Sequence, residues 1–413
     1  MSARLERWWR VCLLGLATIG AYGTAYYSIG VLIPVIGSET GWSTGILSSG
    51  FSLGVLGQGG VALLAGRTLD RSGSARLLLP AIATGASFLL LASLAQEAWQ
   101  FVVAWAAGGA IIGGGLYYNV TMPMTARLYP DRRAAAFSVL TLLGALASPI
   151  FYPIAGWLLE AWGWRGALQA LVGLMVLSVL PAALFVRAPS GPGAKTGQPA
   201  SGLRAALREP VIHRALLIFA LAGMANSALL LHQVPAMQAA GLSLAAASGF
   251  AGLRGAFQIP GRLFLTPLTA RVSLRGVIGA CYALATTAAV ALFIALEGHG
   301  ATIAVAYFAV IGGMSLGLLS PLNGLFQAEV YGDERLGTLS GVGVIVGSIA
   351  SASGAWLSGL AIDLTDSYQT SLAGVVVLQG LAVAALVWQA AAMRDREGSR
   401  SRAAPLPTGD AAG

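Results

Sequence analysis

The stretch Gly66-Arg67-Thr68-Leu69-Asp70-Arg71-Ser72-Gly73-Ser74-Ala75-Arg76 decides how the chain is read. It is a charged turn punctuated by glycine, with an apolar segment of about twenty residues on each side, at 45–65 and 75–95. As helix, each segment rises about 30 Å, the thickness of the hydrocarbon core of a bilayer. A short polar turn between two such segments is a helical hairpin that crosses lipid and returns.

Outward from this hairpin the pattern repeats. Apolar runs at 9–36, 99–126, 134–158 and 165–187 complete a first set of six. Runs at 211–238, 245–268, 275–296, 301–328, 337–360 and 369–392 make a second set. Of the 413 residues, 56% are hydrophobic and 10% charged, where soluble domains carry about 25% charged. No aqueous core hides that much apolar surface, so the expected fold is an all-α membrane protein of twelve transmembrane helices. The 55 glycines suit the close helix packing of such proteins. The expected units are a six-helix bundle at 1–187, a Gly/Pro/Ser-rich linker at 188–210, a second bundle at 211–392 and a disordered tail at 393–413.

Charge orients the helices. One side collects Arg7, Arg10, Arg67, Arg71, Arg76, Arg127, Arg132, Arg133, Arg187, Arg208, Arg214, Arg271, Arg275 and the tail arginines. The other holds Glu39, Glu97, Glu160, Glu297, Asp363 and Asp366, with Arg165 as its cation. The positive-inside rule places both termini in the cytoplasm, for an inner-membrane protein of bacterial type. The net charge of +8 thus reflects topology and gives no case for nucleic-acid binding. Cys12 and Cys281 lie in apolar runs and form neither a disulfide framework nor a metal site. The first run is too long for a signal peptide and reads as a retained helix. No phosphate-binding loop, Ser/His/Asp arrangement or metal cluster is present in the sequence, so neither an enzyme nor a cofactor is expected. The Gly113-Gly114-Gly115 run has no preceding strand and reads as helix packing.

The two sets share punctuation. Leu128-Tyr129-Pro130-Asp131-Arg132-Arg133 follows the fourth run and Val330-Tyr331-Gly332-Asp333-Glu334-Arg335 the tenth; Gly66-Arg67 closes the second and Gly261-Arg262 lies near the end of the eighth. Matching marks at matching positions indicate two pseudo-symmetric six-helix halves.

At these residues the chain resembles the major facilitator superfamily, over nearly its whole length. The loop from Gly66 to Arg76 is similar to the family's loop between helices two and three. Gly41-Trp42-Ser43, Gly163-Trp164-Arg165, Pro149 with Pro153, and Ala126 to Arg133 resemble the monocarboxylate-porter and oxalate–formate-antiporter branch. The resemblance implies the major facilitator fold and a gate latch at Asp70, Arg71 and Arg76, shaped by Gly66 and Gly73, with Asp131, Arg132 and Arg133 as further gate residues. The bland alternative is a plain basic turn.

A charge at membrane depth is costly and marks function. Arg254 and Arg262, with Gln258 between them, are spaced i, i+4, i+8 in the eighth run and share one helix face. Guanidinium forks pair with carboxylates, and low dielectric strengthens the bond. By resemblance Arg262 matches the porters' substrate arginine. Gln258 stands where that branch has an acidic residue, Tyr27 near its lysine, and no lysine lies between Gly337 and Leu360. The competing readings are snorkelling for Arg262 and a structural hydrogen bond for Arg254.

Around this strip, Tyr26, Tyr118, Asn119, Tyr152, His232 and Asn323 are the further substrate candidates, drawn from helices one, four, five, seven and ten, most of which line the family's cavity. His232 is a candidate proton relay, or else a bonded rim histidine. No acidic residue lies deep in a helix. The expected function is therefore secondary transport of a small organic anion, a monocarboxylate, by a monomer using proton symport or counter-anion exchange. Efflux of neutral hydrophobic compounds is the alternative; a non-transporting sensor on a transporter scaffold is the alternative of another class.

Overall fold

The computed structural model describes residues 2–191, 208–298, 300–331 and 336–403. Among them every regular element is helical and there is no strand. Twelve spans follow one another. The first three are α1 (Ser2–Tyr22, a π turn Gly23–Tyr27, then Ile29–Thr40), α2 (Thr44–Ser72) and α3 (Leu78–Ser93). Next come α4 (Ala98–Leu116 and Tyr118–Leu128), α5 (Arg133–Gly144, resumed at 147–162) and α6 (164–185). The second half comprises α7 (Pro210–Ala239), α8 (Leu244–Ala256, Gln258–Leu263 and Leu265–Thr269), α9 (Leu274–Ala295), α10 (Ala301–Tyr331), α11 (Leu336–Thr365) and α12 (Tyr368–Ala403).

The spans correspond one for one to the apolar runs. Ten helices among the described residues are long and apolar enough to cross a membrane. One of those, Pro130–Phe185, is α5 and α6 joined across Gly163, whose φ of 63° and ψ of 178° reverse the chain. The reversal is visible against α1: Gly23 meets Phe151, whereas Thr24 Oγ1 donates to Leu171 O at 2.9 Å and Gly20 meets Ser178. The twelfth span is α8, cut into three pieces. Pro260 and Pro267 remove the N–H groups that would bond the carbonyls of Ala256 and Leu263, and the helix breaks after each. α12 continues past 392 to Ala403 through the helix-forming run Ala390-Ala391-Ala392-Met393-Arg394, where the sequence reading starts a tail. The repeat loop at 332–335 and linker residues 192–207 lie outside the described residues.

Side chains set the helix ends. Ser43, Ser243 and Ser273 accept from Ile46 N, Ala246 N and Gly276 N at 3.3, 3.2 and 3.2 Å, and Glu97 with Gln100 forms a capping box. Trp42 and Trp164, from the two Gly-Trp pairs, meet at 6.3 Å and pack with Phe101 and Trp105. Arg165 lies over Trp164 and donates to Ala95 O at 2.9 Å, so these motifs close one end of the first half.

The halves touch at the face opposite the chain termini and part toward the terminal face. Near the opposite face, Thr44 N and Gly45 N donate to the Asp363 carboxylate at 2.8 Å each, and Ser52 Oγ donates to Ala352 O at 2.8 Å. A Cβ on Gly359 would lie 2.7 Å from Ser48 Oγ, and one on Gly30 of α1 would lie 2.6 Å from Leu230 O of α7. The α2 face that carries Gly45, Ser48 and Ser52 continues about two, three and four turns on as Gly59, Leu63 and Gly66. There Gly59 and Gly66 have open space around them and Leu63 is 67% exposed. On α11 the same face continues as Ile349, Ile345 and Gly341, also bare. The helix pair that closes one face therefore opens the other.

Candidate functional site

Between the halves lies a cavity of about 230 Å³ lined from both sides. From α8 come Arg254, Gln258 and Arg262, so the strip expected on one face does reach one space even though α8 is not a continuous helix. Across from it stand Tyr22, Tyr26 and Tyr27 of α1 and Ser148 and Tyr152 of α5. The π turn is what makes the α1 wall. Its wider winding brings Tyr22 and Tyr27, five apart, toward the same side, with ring centroids 6.5 Å apart.

Arg254 is 8% exposed and held by a relay. Its Nη1 donates to Gln233 Oε1 at 3.2 Å, Gln233 Nε2 donates to Tyr152 Oη at 2.6 Å, and Tyr152 Oη donates to Leu230 O at 3.4 Å. The guanidinium also sits 5.0 Å from the centroid of Phe308. Arg262 is half-buried and reaches across to α5, where Nη1 donates to Thr141 O at 3.4 Å. The Nε atoms of both arginines are buried without a partner. Buried donors with unused capacity are costly unless something arrives to accept from them. Among the described residues, no acidic side chain lines this cavity. The arrangement can therefore hold an anion through fork-like guanidinium bonds while tyrosine rings cover its apolar part.

The other candidates lie elsewhere. Tyr118 packs on Tyr22 at 5.3 Å, and its hydroxyl occupies the notch at Gly144 on α5. Asn119 is tied down: its Nδ2 donates to Gly114 O at 2.6 Å, satisfying a carbonyl left free where α4 breaks at Tyr117. His232 is buried and turned toward the Ala355 backbone of α11, and neither ring nitrogen makes a hydrogen bond of good geometry. Its neighbour Gln233 is the α7 residue that faces Arg254. Asn323 lines an adjoining cavity within the second half. Tyr22, Tyr27 and Gln233 complete the site from outside the candidate set; their sequence signal is polarity inside apolar runs and, for Tyr27, its place near the porters' lysine.

At the terminal face, Asp70 forms an ion pair with Arg127 of α4. Arg127 Nη1 also donates to Leu69 O at 3.0 Å and Pro189 O at 3.1 Å, tying the α2–α3 turn to the chain after α6. Arg71 and Arg76 are exposed, as are Asp131, Arg132 and Arg133 around the short turn Pro130–Arg132. Asp70 of the expected latch set thus pairs with Arg127, a residue outside that set, while Arg71 and Arg76 stand exposed. Gly73 has φ 71°, and a Cβ there would lie 2.8 Å from Ala188 O; Gly66 stands in open space.

Twelve spans in two halves around a polar cavity define a polytopic membrane protein with the architecture of a secondary transporter. The chain belongs to the Major Facilitator Superfamily, whose model matches residues 14–355. It is 27% identical over 187 residues to the multidrug resistance protein MdtL of Escherichia coli (strain K12), a match covering 45% of this chain and 46% of that protein. The match thus spans about half the length of such curated relatives. In structure it is similar to a mutant of the nucleoside transporter NupG, with TM-score 0.76 and 13% identity over 93% of this chain and 99% of that one. It is also similar to a bacterial homologue of the human lysosomal transporter Spinster in an inward-facing, occupied conformation, with TM-score 0.71, 14% identity, and coverage of 92% and 96%.

Proposed function

We propose that the protein is a secondary carrier of a small organic anion, a monocarboxylate, working by alternating access in a cell inner membrane. One observation carries this reading: Arg254 and Arg262 line a single cavity between the halves that no carboxylate lines. A carboxylate entering there meets two guanidiniums in a setting where water competes weakly. With both termini in the cytoplasm, the cavity faces the cytoplasm in this conformation, and rocking of 1–187 against 211–392 about the α2–α11 contact exposes it to the other side. Coupling is either proton symport or anion exchange. In exchange, the cost of reorienting an uncompensated pair of guanidiniums blocks return of the empty carrier.

The test is counterflow of labelled monocarboxylates into proteoliposomes holding the purified protein. Expected is saturable exchange that falls at least tenfold in the double variant Arg254→Gln, Arg262→Gln. Transport by that variant at the parental rate refutes the site. A second reading, efflux of neutral hydrophobic compounds, is favoured by the likeness to MdtL and by the tyrosine wall. In the same vesicles it requires movement of a neutral dye that does not depend on either arginine.

A further inference from the structure

A second cavity, of about 210 Å³, lies wholly within the second half, among α7, α8, α9, α10 and α12. It adjoins the central cavity, since Asn226, Arg254, Leu316 and Ser320 line both. Arg254 is the partition. On one side it bonds Gln233; on the other its guanidinium lies over Phe308, which lines only the inner space.

The chemistry of the inner space differs from that of the central one. Among the described residues, Arg254 is the only charge on its wall and no acid lines it. On a wall that is otherwise largely apolar, the uncharged polar groups are chiefly amides, Asn226, Asn323 and Gln379, joined by the Tyr282 hydroxyl, which donates to Asn323 Oδ1 at 3.5 Å. Gln379 is 7% exposed, and its Oε1 has no hydrogen-bond partner. A buried amide oxygen without a donor is a costly arrangement, and at the wall of this space a turn of the Gln379 side chain lets an entering donor relieve it. An apolar group seals the deficit in place. A second anion finds no further cation there, and a cation finds no acid.

We infer that the substrate carries, beyond its carboxylate, an uncharged hydrogen-bonding group with at least one donor, such as a carboxamide or hydroxyl, and that this group enters the inner compartment past Arg254 to meet Gln379. This rests on the carboxylate reading above. The carboxylate stays on the arginine side and the neutral group reads the amides, so the two cavities form one elongated site.

The experiment is titration of the purified full-length protein with matched carboxylates, followed by calorimetry. The probes are butyrate, the mono-amides of succinate, glutarate and adipate, the isosteres of each in which an isopropyl group replaces the amide, and the parent dicarboxylates. At least one mono-amide is expected to bind about tenfold tighter than its isopropyl isostere, because a site built to bond a polar group rejects the analogue that lacks it. In Gln379→Leu that ratio falls to within about twofold; the ratio is internal to one preparation, and the wild-type comparison decides even if the variant is unstable. If butyrate binds and no mono-amide exceeds its isostere, the inner compartment is no part of the site while the carboxylate reading stands. Tightest binding of a dicarboxylate overturns the inference in favour of a second anionic group. Absence of binding by every carboxylate removes the underlying reading as well.

Discussion

Asp363 holds the closed face shut, and its removal has a size that can be worked out. The first turn of α2 leaves N–H groups without helical partners. Ser43 takes that of Ile46, while Asp363 of α11 takes those of Thr44 and Gly45 at 2.8 Å each. The cap therefore comes from the other half of the molecule, and it exists only while that face is closed. A capping side chain contributes about 1 kcal/mol, and a charge at a helix N-terminus adds roughly 0.3–1. Asp363 is exposed, so water and salt hold the total to about 1.5 kcal/mol. Asp363→Ala should then shift the ratio of closed to open opposite face about tenfold toward open. Thr44→Pro removes one of the two donors at a first-turn position where proline is tolerated, after a Ser43 already extended at φ −67°, ψ 150°. It should give about half the free-energy effect. The assay is pulsed dipolar spectroscopy between spin labels at positions 40 and 365, with Cys12 and Cys281 replaced by Ser. The long-distance population should rise in both variants, more in Asp363→Ala, and the difference should shrink at high salt. An unchanged distribution in Asp363→Ala, or a larger effect from Thr44→Pro, refutes the reasoning.

Other perturbations follow from the same contacts. Gly30→Val should open the same face in the same measurement, because its Cβ would lie 2.6 Å from Leu230 O and the α1–α7 approach leaves no room for it. Arg254→Lys should weaken butyrate binding about tenfold by calorimetry, since a point charge replaces a planar fork; full retention would make the geometry irrelevant. Asp70→Asn should speed hydrogen exchange about fivefold over 66–76, from loss of about 1 kcal/mol in an ion pair whose partners are 17% and 38% exposed, while Arg76→Gln leaves it unchanged. Asn119→Leu should lower the melting temperature of the purified protein by several degrees without changing butyrate affinity, because it frees the Gly114 carbonyl inside α4 and leaves the cavity wall intact.

Much of the fold is legible because its causes are local. The length of an apolar run sets a membrane span, and serine, proline and glycine set its ends. Ser43 and Ser243 start helices where the runs change, and Pro260 breaks α8 by an N–H it does not have. Periodicity likewise put Arg254, Gln258 and Arg262 on one side of a helix, and the breaks in α8 left all three facing one cavity. What periodicity lacks is the identity of the neighbour. His232 and Gln233 are adjacent and both polar, yet one turns to α11 and the other to Arg254. Tyr118 and Asn119 are equally plausible in sequence, and both are taken up by packing or by a free carbonyl.

By itself, then, the sequence determined the solvent, the number of spans and the placement of charge within them, since each depends on transferring a short segment from water to lipid. The tertiary structure decided which charges meet: Asp70 with Arg127, Asp363 with the start of α2, and Arg254 with a relay through Gln233 to Tyr152. Those pairings join residues far apart in the chain, and their strength depends on distance and burial, which exist only once the helices have packed.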